Sequence, residues 1–117
     1  LDVATLGRQL STHSAFPYQA NIGFCQGVDR GFIRLRVFER GVGETRACGT
    51  GASAAVVAAH SRDLVNEQVK VSLPAGKLRI HWSGPGQPIT LAGGATLVST
   101  GEVDLKECAN AVSTTRF

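Results

Sequence analysis

Residues 39–60, ERGVGETRACGTGASAAVVAAH, combine a glycine-rich turn, one cysteine and a run of small apolar residues. From residue 52 to residue 59 the run contains only alanine, serine and valine, with no charge. A helix at the surface of a domain normally carries polar residues along one side. The stretch therefore predicts a helix that is buried on all sides, with a glycine-rich loop leading into it.

The segments around this helix have the two-residue period of β-strands. In the segment before it, Ile33, Leu35 and Val37 alternate with polar residues, which places the three apolar side chains on one face. Alternation or short apolar runs predict further strands at 20–27, 69–73 and 78–82, and one or two strands within 89–105. Apolar spacing predicts a second helix at 3–12, whereas residues 106–117 show no clear pattern. We expect an α+β fold in which a curved mixed or antiparallel sheet wraps around the central buried helix.

The start of the predicted central helix has the composition of an anion site. The first four N–H groups of a helix have no partner within it. Gly49 and Gly51 have no side chains to shield these groups, and Thr50 adds a hydroxyl, so a carboxylate or phosphate could bind there. The partial positive charge at a helix N-terminus also favours a thiolate, which makes Cys48 a candidate reactive cysteine.

Two charged residues precede the glycine-rich turn. Strand alternation places Glu39 on the same face as Val37, where its carboxylate could accept a thiol proton. Arg40 could bind a substrate carboxylate through two parallel hydrogen bonds. Purely structural alternatives exist, since a cysteine in apolar surroundings is usually a small buried hydrophobic residue and the two charged residues could simply end a strand. For Cys25 and Cys108 we favour that structural interpretation.

Composition excludes several classes of protein. The net charge is +3 and the basic residues are scattered singly, so we expect no nucleic-acid partner. No run of eighteen apolar residues and no charged-then-apolar leader is found, so we expect no membrane span and no export. The three cysteines have no zinc-ligand spacing, which predicts reduced thiols in a cytoplasmic protein and no metal. Because the chain lacks methionine and begins with Leu1, we expect a piece of a longer protein.

The most distinctive block, FERGVGETRACGTGASAAV at 38–56, closely resembles the second catalytic segment of the diaminopimelate epimerase family. The segment ANIGFCQ at 20–26 resembles that family's substrate-binding asparagine segment, and the later strands resemble those that follow it. The resemblance runs from about Val3 to Leu105. It implies that residues 1–105 are a partial C-terminal lobe of a two-lobed fold and that residues 106–117 are a tail.

The resemblance implies a cofactor-free isomerase that interconverts LL- and meso-diaminopimelate, in lysine biosynthesis and on the route to peptidoglycan. In this family two cysteines on opposite sides of the substrate α-carbon exchange its proton. Cys48 resembles one of these cysteines, and Glu39 resembles the carboxylate that tunes it. The residues that resemble substrate ligands are Asn21, Glu39, Arg40, Gly49 and Thr50.

The departures from the family pattern are also informative. The family's other cysteine–glycine segment and its asparagine–proline–histidine segment are both absent from this sequence. The chain therefore resembles one half of a two-cysteine site, whose expected partners are the small-molecule substrate, the missing N-terminal lobe and, at full length, a second copy in a homodimer. Two alternatives stay open, another cofactor-free racemase of the proline racemase type and a non-catalytic domain of related fold.

Overall fold

The computed structural model describes residues 1–114 of the chain, with side chains described as far as residue 110. The described helices and strands, in chain order, are α1 (Val3–Ser11), β1 (Ile22–Asp29), β2 (Phe32–Glu39), β3 (Gly43–Thr45), α2 (Gly49–Ser61), β4 (Gln68–Leu73), β5 (Gly76–His81), β6 (Thr90–Ala92) and α3 (Leu105–Thr114). The strands form one sheet in the order β1-β2-β4-β5-β6, and the short strand β3 pairs with β2.

The sheet is mixed because of the way in which α2 connects its strands. Strands β2 and β4 are parallel, and every other pair is antiparallel. Parallel neighbours need a long crossover connection, and here that connection contains α2. By contrast, β4 and β5 are joined by a tight turn, in which Leu73 pairs with Gly76. The open, curved sheet with its helices is the α+β arrangement predicted from the sequence.

The hydrophobic core lies between the sheet and α2. As the alternation predicts, Ile33, Leu35 and Val37 are buried while Arg34 and Arg36 are exposed. The buried core comprises these three residues together with Ala52, Val56, Val65, Val69, Val71, Leu73 and Ile80. Strand β2 therefore presents one apolar face to α2, which positions the residues at the start of that helix.

The prediction that α2 is buried on all sides is wrong for the described residues. Ala52 and Val56 are fully buried, but Ala54 and Ala58 are exposed. Among residues 1–114, α2 contacts strands β1, β2 and β5, which cover it from one side only. Its remaining apolar side forms a wall of an open groove. Helix α2 thus has apolar residues on the side that residues 1–114 leave exposed as well as on its buried side.

Helix α1 packs on the other face of the sheet and explains the glycine that interrupts its apolar spacing. Gly7 is buried, and a Cβ atom added to it would lie 2.6 Å from Cδ2 of Phe38. The helix therefore approaches β2 more closely than any side chain at position 7 would permit. At the end of the helix, the buried Ser11 hydroxyl donates a hydrogen bond of 2.6 Å to the carbonyl of Ala20. The predicted helix at 3–12 is confirmed.

Three segments differ from the sequence-based expectations. The loop predicted between β2 and α2 contains the short strand β3, which pairs with the end of β2. Within 89–105 the only strand is β6, and residues 93–104 have no regular structure. The tail forms α3 as far as Thr114, and residues 115–117 lie outside the described part. Within residues 1–114, no helix combines the length and the apolar character needed to cross a membrane.

Candidate active site

Cys48 lies at the start of α2, as the sequence predicts, and is the N-cap of that helix. Its backbone is extended, with φ −151° and ψ 103°, and its Sγ accepts a hydrogen bond of 3.3 Å from the N–H of Gly51. The hydroxyl of Thr50 lies 3.5 Å from the same sulfur. A donor N–H and the helix dipole both favour negative charge on the sulfur. The half-buried thiol packs against the core and is therefore held in place on its inner side.

The first turn of α2 lies directly against β2. A Cβ atom at Gly51 would lie 3.1 Å from Sγ of Cys48 and 3.2 Å from Cγ2 of Val37. Both contacts are tighter than ordinary van der Waals separation, so glycine is what allows the thiol, the helix and the strand to meet. At Gly49, a Cβ would lie 3.3 Å from Leu91, which places β6 near the same helix end.

Glu39 is the last residue of β2 and lies on the strand face that carries Val37. It is half-buried, and its Oε1 accepts a hydrogen bond of 2.6 Å from the hydroxyl of Thr45 in β3. Because Val37 packs against the first turn of α2, Glu39 lies on the sheet face occupied by that helix. The face predicted for this carboxylate is therefore the one observed.

Asn21 and Arg40 are brought together just outside the helix start. Oδ1 of Asn21 accepts a hydrogen bond of 2.8 Å from the backbone N–H of Arg40. The guanidinium group of Arg40 donates to the carbonyl of Tyr18 at 2.9 Å. Both residues are exposed, and each keeps further side-chain donors, the Asn21 amide N–H groups and the remaining guanidinium N–H groups. Their expected role as substrate ligands remains a prediction.

An open groove of about 620 Å³ runs between β1 and α2. Of the residues predicted to form the site, Asn21 and Thr50 line this groove, whereas Glu39, Arg40, Cys48 and Gly49 are not among its lining residues. The groove walls are otherwise small and apolar, formed by Gly23, Cys25, Gly27, Val37, Gly51, Ala54, Ala55, Ala58, Ala59 and Leu64, with Arg62 at the end of the helix. Within residues 1–114, no group of three or more acidic, histidine or cysteine side chains could hold a metal ion.

Cys25 differs from the interpretation as a buried structural cysteine, because it is exposed on β1 and lines the groove. Partial burial by the groove walls nevertheless raises the pKa of the Cys25 thiol. Cys108, in α3, is exposed as well.

The hydrogen bond from Thr45 to Glu39 was not predicted from the sequence. The turn after Glu39 could have suggested a hairpin whose second, short strand ends at Thr45.

We expect Cys48 to be alkylated faster than Cys25 and Cys108 at neutral pH, by at least about threefold. The helix N-terminus favours its thiolate, whereas the raised pKa of Cys25 keeps that residue protonated. Iodoacetamide labelling at pH 7, followed by peptide mass spectrometry, measures all three rates in one sample. Exposure alone would predict the opposite order, so faster labelling of the more exposed Cys25 would contradict an activated Cys48. Labelling in urea should remove the difference.

The fold and the site together define a class of protein. It is an α+β lobe in which a thiol caps a helix of small residues, on the sheet face that also carries a carboxylate at a strand end. The sequence profile of diaminopimelate epimerase matches residues 1–105, from α1 through β6 to the first residue of α3. The chain therefore belongs to the diaminopimelate epimerase family, a family of isomerases of the epimerase type.

Proposed function

We propose that this chain is part of a diaminopimelate epimerase and carries one of its two catalytic cysteines, Cys48. The observation that carries the proposal is the hydrogen bond from the Gly51 N–H to the sulfur of Cys48 at the start of α2. It supports a sulfur that acts as a base when it is a thiolate and as an acid when it is a thiol. Membership of the family suggests diaminopimelate as the substrate. No cofactor enters the proposed reaction.

In the proposed reaction the Cys48 thiolate removes the α-proton of diaminopimelate from one face, and the resulting thiol can return it. Glu39 lies on the same side of the sheet and would accept or supply the thiol proton between turnovers. Negative charge develops on the substrate carboxylate as the proton leaves. Fixed N–H donors directed at that charge stabilise the transition state more than they stabilise the substrate.

The start of α2 has donors for that carboxylate. At the start of the helix, the N–H of Gly51 donates to Cys48 Sγ, and the N–H of Ala52 makes the first i→i−4 bond of the helix, to the Cys48 carbonyl at 2.9 Å. This leaves the N–H groups of Gly49 and Thr50, together with the Thr50 hydroxyl, for the substrate. Asn21 and Arg40 lie close enough to each other to bind a second polar part of the same substrate.

Inversion also requires an acid on the opposite face of the α-carbon. We assign it to an N-terminal lobe, such as the family's two-lobed fold implies, which would cover the groove between β1 and α2. The exposed alanines of α2 favour this assignment, because an open groove with small apolar walls gains stability when another structural unit excludes water from it. We expect the full-length enzyme to be a cytoplasmic homodimer, as the family resemblance implies.

The test combines this chain with a separately produced N-terminal lobe and follows LL-diaminopimelate by chiral chromatography. We expect inversion by the wild-type pair and a loss of at least about 10³-fold with Cys48→Ala, because proton transfer is the chemical step. The matched control is Cys108→Ala, an exposed cysteine beyond the family match, which should retain full activity. Unchanged activity of Cys48→Ala would refute the proposed role.

A further inference from the structure

We propose that Thr45 is the positioning residue of this site, because its hydroxyl holds one oxygen of Glu39 and leaves the other free for proton transfer. The inference rests on the proposed function, in which Glu39 and Cys48 exchange a proton. The role of Thr45 is supported by a separate observation, the 2.6 Å hydrogen bond from Thr45 Oγ1 to Glu39 Oε1. A hydroxyl-to-carboxylate bond of this length is a charge-assisted one, stronger than a bond between neutral groups.

The register of the β2–β3 hairpin creates this bond. Glu39 pairs with Gly43, and Val37 pairs with Thr45. Side chains diagonal to each other on the same face of an antiparallel pair are within reach of a long side chain. Gly43 has no side chain, so nothing on the paired residue competes with Thr45 for the carboxylate. Gly43 also has a φ of +104°, a conformation that other residues rarely adopt.

The chemical type of residue 45 suits a positioning role. A glutamate side chain has three rotatable torsions and would otherwise occupy many orientations. A threonine is restricted at χ1 by its branched Cβ, so its hydroxyl points in a well-defined direction. The bond therefore restricts Glu39 at Oε1, and Oε2 is the oxygen left to exchange a proton with a thiol or with substrate.

The hairpin has a separate anchor on the sheet face that α1 occupies, which provides the control. Arg36 donates to Glu44 from Nε at 2.6 Å and from Nη2 at 2.8 Å, and this hydrogen-bonded pair lowers the pKa of the Glu44 carboxyl. Thr45 and Glu44 are neighbours in β3 but point to opposite faces. A substitution at Glu44 therefore weakens the attachment of β3 without removing the hydrogen bond to Glu39.

The experiment measures the pH dependence of Cys48 alkylation in the 117-residue chain, so it requires neither substrate nor a second lobe. The variants are Glu39→Gln, Thr45→Val, Thr45→Ser, Glu44→Gln and the double variant E39Q/T45V. A negative charge near a thiol disfavours the thiolate, so E39Q should move the midpoint of the profile to lower pH. T45V should move it part of the way in the same direction, because an unrestrained Glu39 turns towards water.

The remaining variants separate a positioning role from a purely structural one. T45S should restore the wild-type profile because it keeps the hydroxyl, and E44Q should leave the profile unchanged. The double variant should match E39Q alone, since Thr45 acts through Glu39. Circular dichroism checks folding, and Thr45→Ala replaces T45V if the valine variant does not fold.

The outcomes distinguish failure of this inference from failure of the proposed function. If E39Q leaves the profile unchanged, Glu39 does not interact with Cys48, and both the proposed proton exchange and the role of Thr45 are wrong. If E39Q shifts the profile and T45V does not, only the role of Thr45 is overturned. A T45V shift that persists in the E39Q background would also overturn it, because Thr45 would then act independently of the carboxylate.

Discussion

The 117-residue chain on its own should produce no measurable inversion of diaminopimelate. A single thiol at the start of α2 can reach only one face of the α-carbon, and inversion needs a donor on the other face. The groove beside the helix is also open to water, where electrostatic stabilisation is several-fold weaker than in a closed site. Chiral chromatography of the purified chain, with and without the N-terminal lobe, measures this directly.

A parallel measurement in D₂O separates proton removal from inversion. Deuterium at the α-carbon with retained configuration would mean that Cys48 removes the proton and returns it to the same face. Clear inversion by the chain alone would contradict the prediction and would indicate that the chain contains a second acid. Cys25 is then the first residue to replace, because it lines the groove and its raised pKa keeps it protonated, as a proton donor must be.

The largest effect on stability is expected from Gly7→Ala. The new Cβ would lie within 2.6 Å of three atoms of Phe38, including Cβ of that residue, which a simple rotation of the ring cannot move away. Overpacking of this kind costs about 1–3 kcal/mol. The better helix propensity of alanine offsets up to about 1 kcal/mol of this cost. Thermal unfolding should therefore show a melting temperature lower by several degrees.

A matched control for this substitution is Gly27→Ala on β1. A Cβ at Gly27 meets nothing within 4 Å, so the change should alter stability by less than about 0.5 kcal/mol. Phe38→Leu combined with Gly7→Ala should recover part of the loss, because a smaller side chain relieves the contact with α1. A Gly7→Ala variant as stable as the wild type would show that α1 can move away from β2 without cost.

Much of the site could be predicted from local sequence because its physics is local. A cysteine before a glycine-rich helix start becomes an N-cap, since only the adjacent N–H groups are needed to form the cap. The face of Glu39 follows from the two-residue period of the strand that carries it. The bond between Thr45 and Glu39 and the one between Asn21 and Arg40 were not predicted, because each depends on the register of one segment against another.

The sequence by itself determined the periods of the helices and strands, the place of Cys48 at the start of α2, and membership of the diaminopimelate epimerase family over residues 1–105. Tertiary structure decided how far α2 is covered and whether residues 93–104 form a strand. An apolar composition indicates that the surface of a helix is more stable when it is buried. Whether it is buried depends on another structural element packing against it. A strand likewise needs a neighbour to pair with its backbone N–H and C=O groups, and a two-residue period cannot supply one.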